Sequence, residues 1–282
     1  MKIGLFNIEP NIENTAMMQV SQYYKQKGFN VKQYSPIFKN MYDKVYAFSI
    51  FNFSNKCMVR DEMIKGGTGF NSFSKLPKEI EECDLDYSIF PKCKTSYIWF
   101  SRGCIRKCPF CIVPKKEGYI RAVNPKNINP KGKYISIMDN NFFANPEWKK
   151  SIDKLIEWDQ PVDFQSGIDV RIFNYEHGEA LKKLKLYKQI HIAWDNPKDD
   201  LTEKIELLKK YVKPYKIMSY VLIGYWSTPD EDLMRVEKLR ELKIDPFVMP
   251  FNKKDEYQKN FARWCNHKAI FKTVKWENYK KR

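Results

Sequence analysis

The segment Arg102-Gly103-Cys104-Ile105-Arg106-Lys107-Cys108-Pro109-Phe110-Cys111 constrains this chain more than any other. Its three thiols stand in a CxxxCxxC spacing, which lets one loop wrap one face of a metal cluster. A cubane [4Fe-4S] cluster normally takes one cysteine thiolate per iron, so three local ligands leave one iron open to something other than protein. An open coordination position separates reactive metal sites from structural ones. The same thiols are also compatible with a purely structural role, or with a zinc site completed by Cys93 or His177.

The flanks narrow these alternatives. Phe110 stands just before the last cysteine, and Ile112-Val113-Pro114-Lys115-Lys116-Glu117-Gly118 follows it. Loop and flanks together resemble the signature of the radical S-adenosylmethionine (SAM) superfamily. Ile112-Val113-Pro114 is similar to the run after the last cysteine in its methylthiotransferase branch. The resemblance implies that Cys104, Cys108 and Cys111 hold a [4Fe-4S] cluster whose remaining iron chelates SAM through its amino and carboxylate groups. Electron transfer from the cluster would then cleave SAM to a 5′-deoxyadenosyl radical. An electron donor such as flavodoxin or ferredoxin is implied as partner, and the reaction would be of transferase or oxidoreductase type.

The 282 residues suffice for one large domain or two modest ones. Seven cysteines, three of them in a ligand motif, argue for reduced thiols rather than a disulfide framework. Met1-Lys2-Ile3-Gly4-Leu5-Phe6 reads as the entry to a strand and not as a signal sequence, and no apolar run is long enough to span a membrane. A cytoplasmic protein without membrane contact is therefore expected. The net charge of +16 favours anionic partners. Between Arg102 and Lys131 stand eight basic residues against one acid, Glu117, and from Phe251 to Arg282 ten against three. Such an excess fits a basic rim for a phosphate-bearing substrate as well as an ordinary solvated surface.

Along the chain, Lys2 to Ile8 reads as a buried strand, and Asn14 as the cap of a helix that stops at Gly28. Strands are expected near Val31 and over Lys44 to Ile50. This β-α-β-β beginning suggests a small Rossmann-like domain over residues 1–93, with its ligand edge at Asn7 to Asn11 and Phe51 to Lys56. Cobalamin binding through a histidine is not supported, because the DxHxxG pattern is absent. Asn55-Lys56-Cys57-Met58-Val59-Arg60 is similar to a methylthiotransferase segment that holds a second cluster. The first loop lacks its cysteine, however, and Cys83 and Cys93 stand out of register, so a second cluster is not expected and these thiols read as small buried hydrophobes. Gly66-Gly67-Thr68-Gly69-Phe70 reads as a loop that permits close backbone approach to a ligand, though not as a P-loop.

From Tyr97 on, strand and helix signals alternate. Strands are expected at Tyr97–Phe100, Tyr134–Met138, Val162–Gln165, Gln189–Trp194, Ile217–Ile223 and Asp245–Pro250, with helices over Pro146–Trp158, Tyr175–Leu186, Leu201–Tyr211 and Pro229–Leu242. Six such strands match the partial (β/α)6 barrel of a radical SAM core over residues 94–250, followed by a basic C-terminal extension over 251–282. The expected class is thus α/β, with a helical extension.

Polar residues recur just past each strand: Asp139, Asn140 and Asn141; Gln165, Asp169 and Arg171; Asp195 and Asn196; Ser219 and Tyr225. Helix capping accounts for Asn145 and Asp199. For Asp169, Arg171 and Asp195 a polar ligand is the better account. The resemblance implies that Asp139-Asn140-Asn141 meets the methionyl amine of SAM, and that Leu222-Ile223-Gly224-Tyr225 backs the adenine. It makes Asp195 a candidate for the ribose hydroxyls and Arg171 one for a carboxylate or substrate anion. In the tail, the helix expected over Tyr257 to Asn266 and the basic-aromatic alternation of Phe271 to Tyr279 suit either base stacking or an amphipathic element that closes the barrel. No room remains for an RNA-binding TRAM-type barrel. The substrate class suggested by charge is a nucleic acid or nucleotide. A peptide or small metabolite, or a non-catalytic metal-stabilised nucleic-acid-binding protein, are the alternatives.

Overall fold

A computed structural model of the chain describes residues 1–279. Lys280, Lys281 and Arg282, the last basic residues of the expected extension, lie outside the described residues. The protein is mixed α/β with several parallel sheets. It divides into two units, Met1–Tyr97 with Pro125–Lys133, and Ile98–Asn124 with the chain from Tyr134 onward. The excursion of Pro125–Lys133 into the first unit is not signalled by the sequence.

In the first unit, β1 (Lys2–Asn7), β2 (Asn30–Gln33), β3 (Lys44–Phe48) and β4 (Ile64–Gly66) form a parallel sheet in the order β2-β1-β3-β4. Parallel neighbours need a crossover, and the helix Thr15–Gln26 supplies it between β1 and β2. Its start is fixed by Asn14, whose Oδ1 accepts the Met17 N–H at 3.1 Å. Its apolar stripe, including Met17, Met18, Val20 and Tyr24, is buried with Ile3 and Leu5 of β1.

Two expectations for this unit are corrected. The glycine-rich stretch is not an open loop: Gly66 ends β4, which pairs in parallel with Tyr46–Phe48, and Thr68–Phe70 form a short helical turn. Gly67 has φ +102°, and a Cβ there would lie 2.2 Å from the Ser49 carbonyl oxygen, so the missing side chain admits the protein's own backbone rather than a ligand. The supposed ligand edge is also occupied from within. The buried carboxylate of Glu9 accepts from Ser49 Oγ (3.0 Å), Ile50 N (3.1 Å) and Phe51 N (3.3 Å). Burial opposes ionisation of Glu9, yet these donors together with Ser54 hold its carboxyl below the ordinary range. A fixed negative charge at that edge disfavours a phosphate.

The second unit begins within β5 (Thr95–Ile98). It continues through β6 (Ser101–Arg102), β7 (Arg121–Ala122), β8 (Tyr134–Ile137), β9 (Val162–Phe164), β10 (Ile190–Ala193), β11 (Ile217–Ile223) and β12 (Asp245–Pro250). Among the described residues these build sheets ordered β5-β8-β9 and β10-β11-β12, with a small antiparallel pair β6-β7. The pairs β8-β9, β10-β11 and β11-β12 are parallel. The single six-stranded ladder expected for a barrel is thus divided into two sheets of three. Past β9 the chain turns toward β10, and Ile168 N–H donates to the His191 carbonyl at 2.8 Å.

Helices Trp148–Trp158, Tyr175–Lys182, Thr202–Lys209 and Pro229–Glu241 follow β8, β9, β10 and β11. The second of these stops at Lys182 instead of running to Leu186, and the cause is a strand. Val162 N–H donates to the Lys185 carbonyl (2.7 Å) and Tyr187 N–H to the Val162 carbonyl (2.8 Å), which draws residues 185–187 alongside β9.

The helix Pro229–Glu241 opens with a capping box between Thr228 and Glu231 and carries a charged pair inward. Arg235 and Asp232 are each 0% exposed and 2.6 Å apart. Arg235 Nη1 also donates to the carbonyls of Trp194 (2.8 Å), Asp195 (3.0 Å) and Leu222 (3.1 Å), so one guanidinium fastens the ends of β10 and β11.

The tail forms helices Glu256–Asn266 and Lys268–Thr273. Phe261, Trp264 and Phe271 are buried, and Trp264 stands 5.1 to 5.5 Å from the rings of Phe271, Phe261 and Trp276. Of the aromatic residues in the alternation, Phe271 is therefore core, while Trp276 and Tyr279 are partly exposed, with ring centres 6.0 Å apart. Asn266 reaches the outer side of β12, where its Oδ1 accepts Val248 N–H (2.7 Å) and its Nδ2 donates to the Val248 carbonyl (2.9 Å).

Candidate functional site

The thiol loop leaves β6 through Gly103, at φ +85°, where a Cβ would lie 2.4 Å from the Tyr119 carbonyl oxygen. Cys104 N–H donates to the Gly118 carbonyl at 3.2 Å, closing the loop on itself. Glu117 then clamps it. Its carboxylate accepts from Gly103 N (3.1 Å) and Asn140 Nδ2 (2.9 Å) and pairs with Arg102 (3.3 Å). The Arg102 guanidinium in turn lies 4.1 Å from the Trp99 ring centre. Glu117 follows no strand, so the strand-end pattern does not point to it, yet it stands out in sequence as the lone acid in a basic stretch.

Cys104, Cys108 and Cys111 are all partly exposed. Cys104 Sγ accepts from Arg106 N–H at 3.3 Å and from Asn141 Nδ2 at 3.8 Å. Burial pushes the Cys108 thiol up, with Arg171 acting in the opposite direction.

Beside Cys104 the ends of β8 and β9 meet. Asp169, whose side chain is 6% exposed, accepts from Arg106 Nε (2.8 Å), Arg171 Nε (2.7 Å) and Asn141 Nδ2 (3.2 Å). Burial resists its charge, but the Arg171 and Arg106 guanidiniums outweigh that and hold its carboxyl below the ordinary range. Arg171 further faces Asp199 at 3.6 Å, so its charge is met within the protein. Arg106 is a second member of the site that strand-end reasoning misses. Asn141 is buried, and its Oδ1 has no hydrogen-bond partner among the described residues.

The other two residues of the Asp-Asn-Asn run point elsewhere. Asn140 serves Glu117, as above, and Asp139, 1% exposed, accepts from Phe100 N (2.9 Å) and from Ser101 Oγ. Burial lifts the Asp139 carboxyl to about 6, against the pull of Ser101 and Phe100. Because folding raises this pKa, Asp139 contributes stability that is full below its unfolded value and is lost as pH rises through about 6. Asp139→Asn is expected to flatten that dependence. Unfolding free energies of the two proteins from urea titrations should diverge by up to about 3 kcal/mol between about pH 4 and pH 7, the unaltered chain losing more; parallel profiles would show that Asp139 does not titrate in this window.

At the end of β10, Asp195 Oδ1 accepts Leu222 N–H at 3.2 Å, and burial raises its carboxyl. Ser219 is buried inside β11 and donates to the Tyr220 carbonyl (3.3 Å). Gly224 turns the chain out of β11 at φ +73° against the Gln258 side chain. Phe110 brings the thiol loop onto this end, with its ring 5.5 Å from Tyr225 and 5.3 Å from Trp226. The candidate residues thus fall into a group around Cys104 (Asn141, Asp169, Arg106, Arg171) and a group around Phe110 (Tyr225, Trp226). Asp139 and Ser219 are engaged by backbone and neighbouring side chains.

Of the remaining thiols, Cys57 is exposed, Cys83 is partly exposed and Cys93 is buried in the core of the first unit. The small-hydrophobe reading therefore fits Cys93 and not Cys57. His177 is buried against Phe143 and Trp148, and burial lowers its pKa to about 4, so it is a neutral core histidine.

No protein-family model matches the chain, and no curated protein matches it either. No helix among the described residues is long and apolar enough to cross a membrane. Among them, too, no three His, Cys, Asp or Glu side chains are gathered about the position of a single metal ion. A cubane distributes its thiolates over separate irons. Three soft donors on one loop, N–H groups directed at Cys104 and an unpartnered oxygen beside it fit such a group with a polar ligand on its open side.

Proposed function

We propose that this protein is a radical SAM enzyme in which Cys104, Cys108 and Cys111 hold a [4Fe-4S] cluster and SAM is cleaved reductively to start radical chemistry on a nucleic acid or nucleotide. The observation that carries this reading is the buried, unpartnered Oδ1 of Asn141, on a side chain whose Nδ2 already contacts Cys104. An acceptor so placed is suited to the ammonium group of a methionyl ligand. When bound, the cluster supplies the electron and the SAM supplies the radical; the residues of this chain bind, orient and exclude water.

Asn141 receives the amine, and Asp169 fixes the Asn141 amide while neutralising Arg106 and Arg171. Phe110 and Tyr225 offer ring surface to the adenine, and the Asp195 carboxylate is the acceptor for ribose hydroxyls. The two three-stranded sheets are on this reading halves of a partial (β/α)6 barrel, and the first unit is a Rossmann-like domain. Exposed Lys107, Lys115 and Lys116 on the thiol loop supply the attraction for phosphates. Flavodoxin or ferredoxin is the class of electron donor required.

The test is anaerobic reduction of the reconstituted protein with SAM present, scored by release of 5′-deoxyadenosine. Formation of this product is expected, and Asn141→Ala should slow it by about tenfold or more with iron content unchanged. A fully loaded protein that releases none overturns the reading.

A further inference from the structure

The ribbon that flanks the thiol loop carries an arrangement that the roles above do not use. In the antiparallel pair β6-β7, Arg102 stands directly opposite Arg121, and like charges placed in this way across two strands are destabilising. Both guanidiniums turn to the same residue. Arg102 pairs with the Glu117 carboxylate at 3.3 Å, whereas Arg121 Nη1 donates to the Glu117 carbonyl at 2.9 Å, a dipole rather than a charge. That carboxylate is further engaged by Gly103 N–H and Asn140 Nδ2. No other acid stands in residues 102–131, and Lys115 and Lys116 add two exposed ammonium groups just ahead of Glu117. Within this stretch a single carboxylate thus stands against Arg102, Lys115, Lys116 and Arg121.

An aromatic ring projects from the same place. Tyr119, two residues before Arg121, is 68% exposed, yet the backbone beneath it is fixed. Its carbonyl oxygen packs against Gly103, the Gly118 carbonyl before it accepts Cys104 N–H at 3.2 Å, and Ile120 after it is buried. A ring held in water by an already ordered backbone loses little further freedom when something binds to it. Folding gains little from that ring, and it is opposed by two arginines set across from one another; a ligand that meets both accounts for them together.

The chemistry of that ligand follows from the groups present. Guanidinium and ammonium groups recognise phosphate, and a tyrosine ring stacks on the face of any base. Paired bases keep their faces inside a duplex, so the base that reaches Tyr119 belongs to an unpaired strand. We infer that Arg121, Lys115, Lys116 and Tyr119 form a docking surface for a single-stranded nucleic acid, the cations along its phosphates and the Tyr119 ring against one of its bases. That this strand is the substrate of the radical chemistry, a polynucleotide in place of a free nucleotide, rests on the function proposed above; the binding itself needs neither cluster nor SAM.

Fluorescence anisotropy of the anaerobically reconstituted full chain with labelled oligouridylate and oligothymidylate of about ten nucleotides tests it. At least one of the strands is expected to bind, more weakly as salt is added, and uridine 5′-monophosphate is expected not to displace it. Tyr119→Ala should lower the affinity about fivefold or more at an unchanged salt slope, and Tyr119→Phe should retain it. Arg121→Gln should lower the affinity and reduce the slope of log K against log salt by about 0.7, the value of one phosphate contact on a single strand. Lys39→Gln, which removes the same charge from an exposed position of the first unit, should change neither. Binding of neither strand, displacement by poly-glutamate as readily as by unlabelled strand, an unchanged affinity in Tyr119→Ala, an unchanged slope in Arg121→Gln, or an equal loss in Lys39→Gln overturns the inference. Strand binding without 5′-deoxyadenosine release would sustain this surface and overturn the proposed chemistry; release by a chain that binds no strand would do the reverse.

Discussion

Replacing Cys104, Cys108 and Cys111 together with alanine is expected to leave the anaerobically reconstituted protein colourless, its iron falling from about four per chain to near zero. The soft donors are then gone, and the other thiols are poorly placed to substitute. Cys93 is buried and donates to the Thr95 carbonyl at 3.4 Å, and burial pushes the Cys265 thiol far up, away from the thiolate a metal needs. The fold should survive, because the loop is held by Glu117 and by the Cys104 N–H bond to Gly118 rather than by the sulfurs. Iron and sulfide analysis beside a urea titration separates the two effects. A triple variant that keeps its iron contradicts the assignment, and one that unfolds contradicts the support given to the loop by Glu117 and Gly118.

The largest loss of stability is expected at Arg235. Arg235→Ala leaves the Asp232 carboxylate buried with, among the described residues, only Ser227 and Tyr257 as side-chain partners, and it deprives the carbonyls of Trp194, Asp195 and Leu222 of a shared donor. Breaking one side of a buried pair typically costs about 3–5 kcal/mol, against a total stability of about 5–15 kcal/mol for a domain. Burial lifts the Asp232 carboxyl and lowers the Arg235 guanidinium, which is the mark of two charges each tolerated because of the other. Arg235→Lys should fall between, since a single ammonium cannot serve a carboxylate and three carbonyls with the fixed fork of a guanidinium. A urea midpoint within experimental error of the parent for the Ala variant would show that the pair contributes little.

Much of the secondary structure is legible in the sequence because its signals are local. Asn14 before an apolar stripe, Thr228 three residues ahead of Glu231, and the β-branched runs of β10 and β11 each name their element within a few residues. What stays hidden depends on partners far along the chain. Glu9 meets Ser49, Asp139 meets Phe100 and Asp169 meets Arg106, at separations of 40, 39 and 63 residues. A strand-end acid that supports a backbone and one that faces a ligand look alike until those partners are placed. The strand Ile64–Gly66 is obscured by its closing glycine and the one that follows it, and the tail by an alternation of basic and aromatic residues that surface and core can share. Of the three residues expected as a group after β8, only Asn141 stands beside a thiol, and spacing cannot choose among them.

The side chain of Asn266 has a consequence for how copies of this protein meet. Val248 would otherwise offer an N–H and a carbonyl outward from β12, the invitation by which one sheet recruits a strand from another molecule. With a primary amide already occupying both, that border is sealed at its middle. Strand addition at this point of β12 is thereby opposed, and Asn266→Ala is expected to make aggregation rise with concentration.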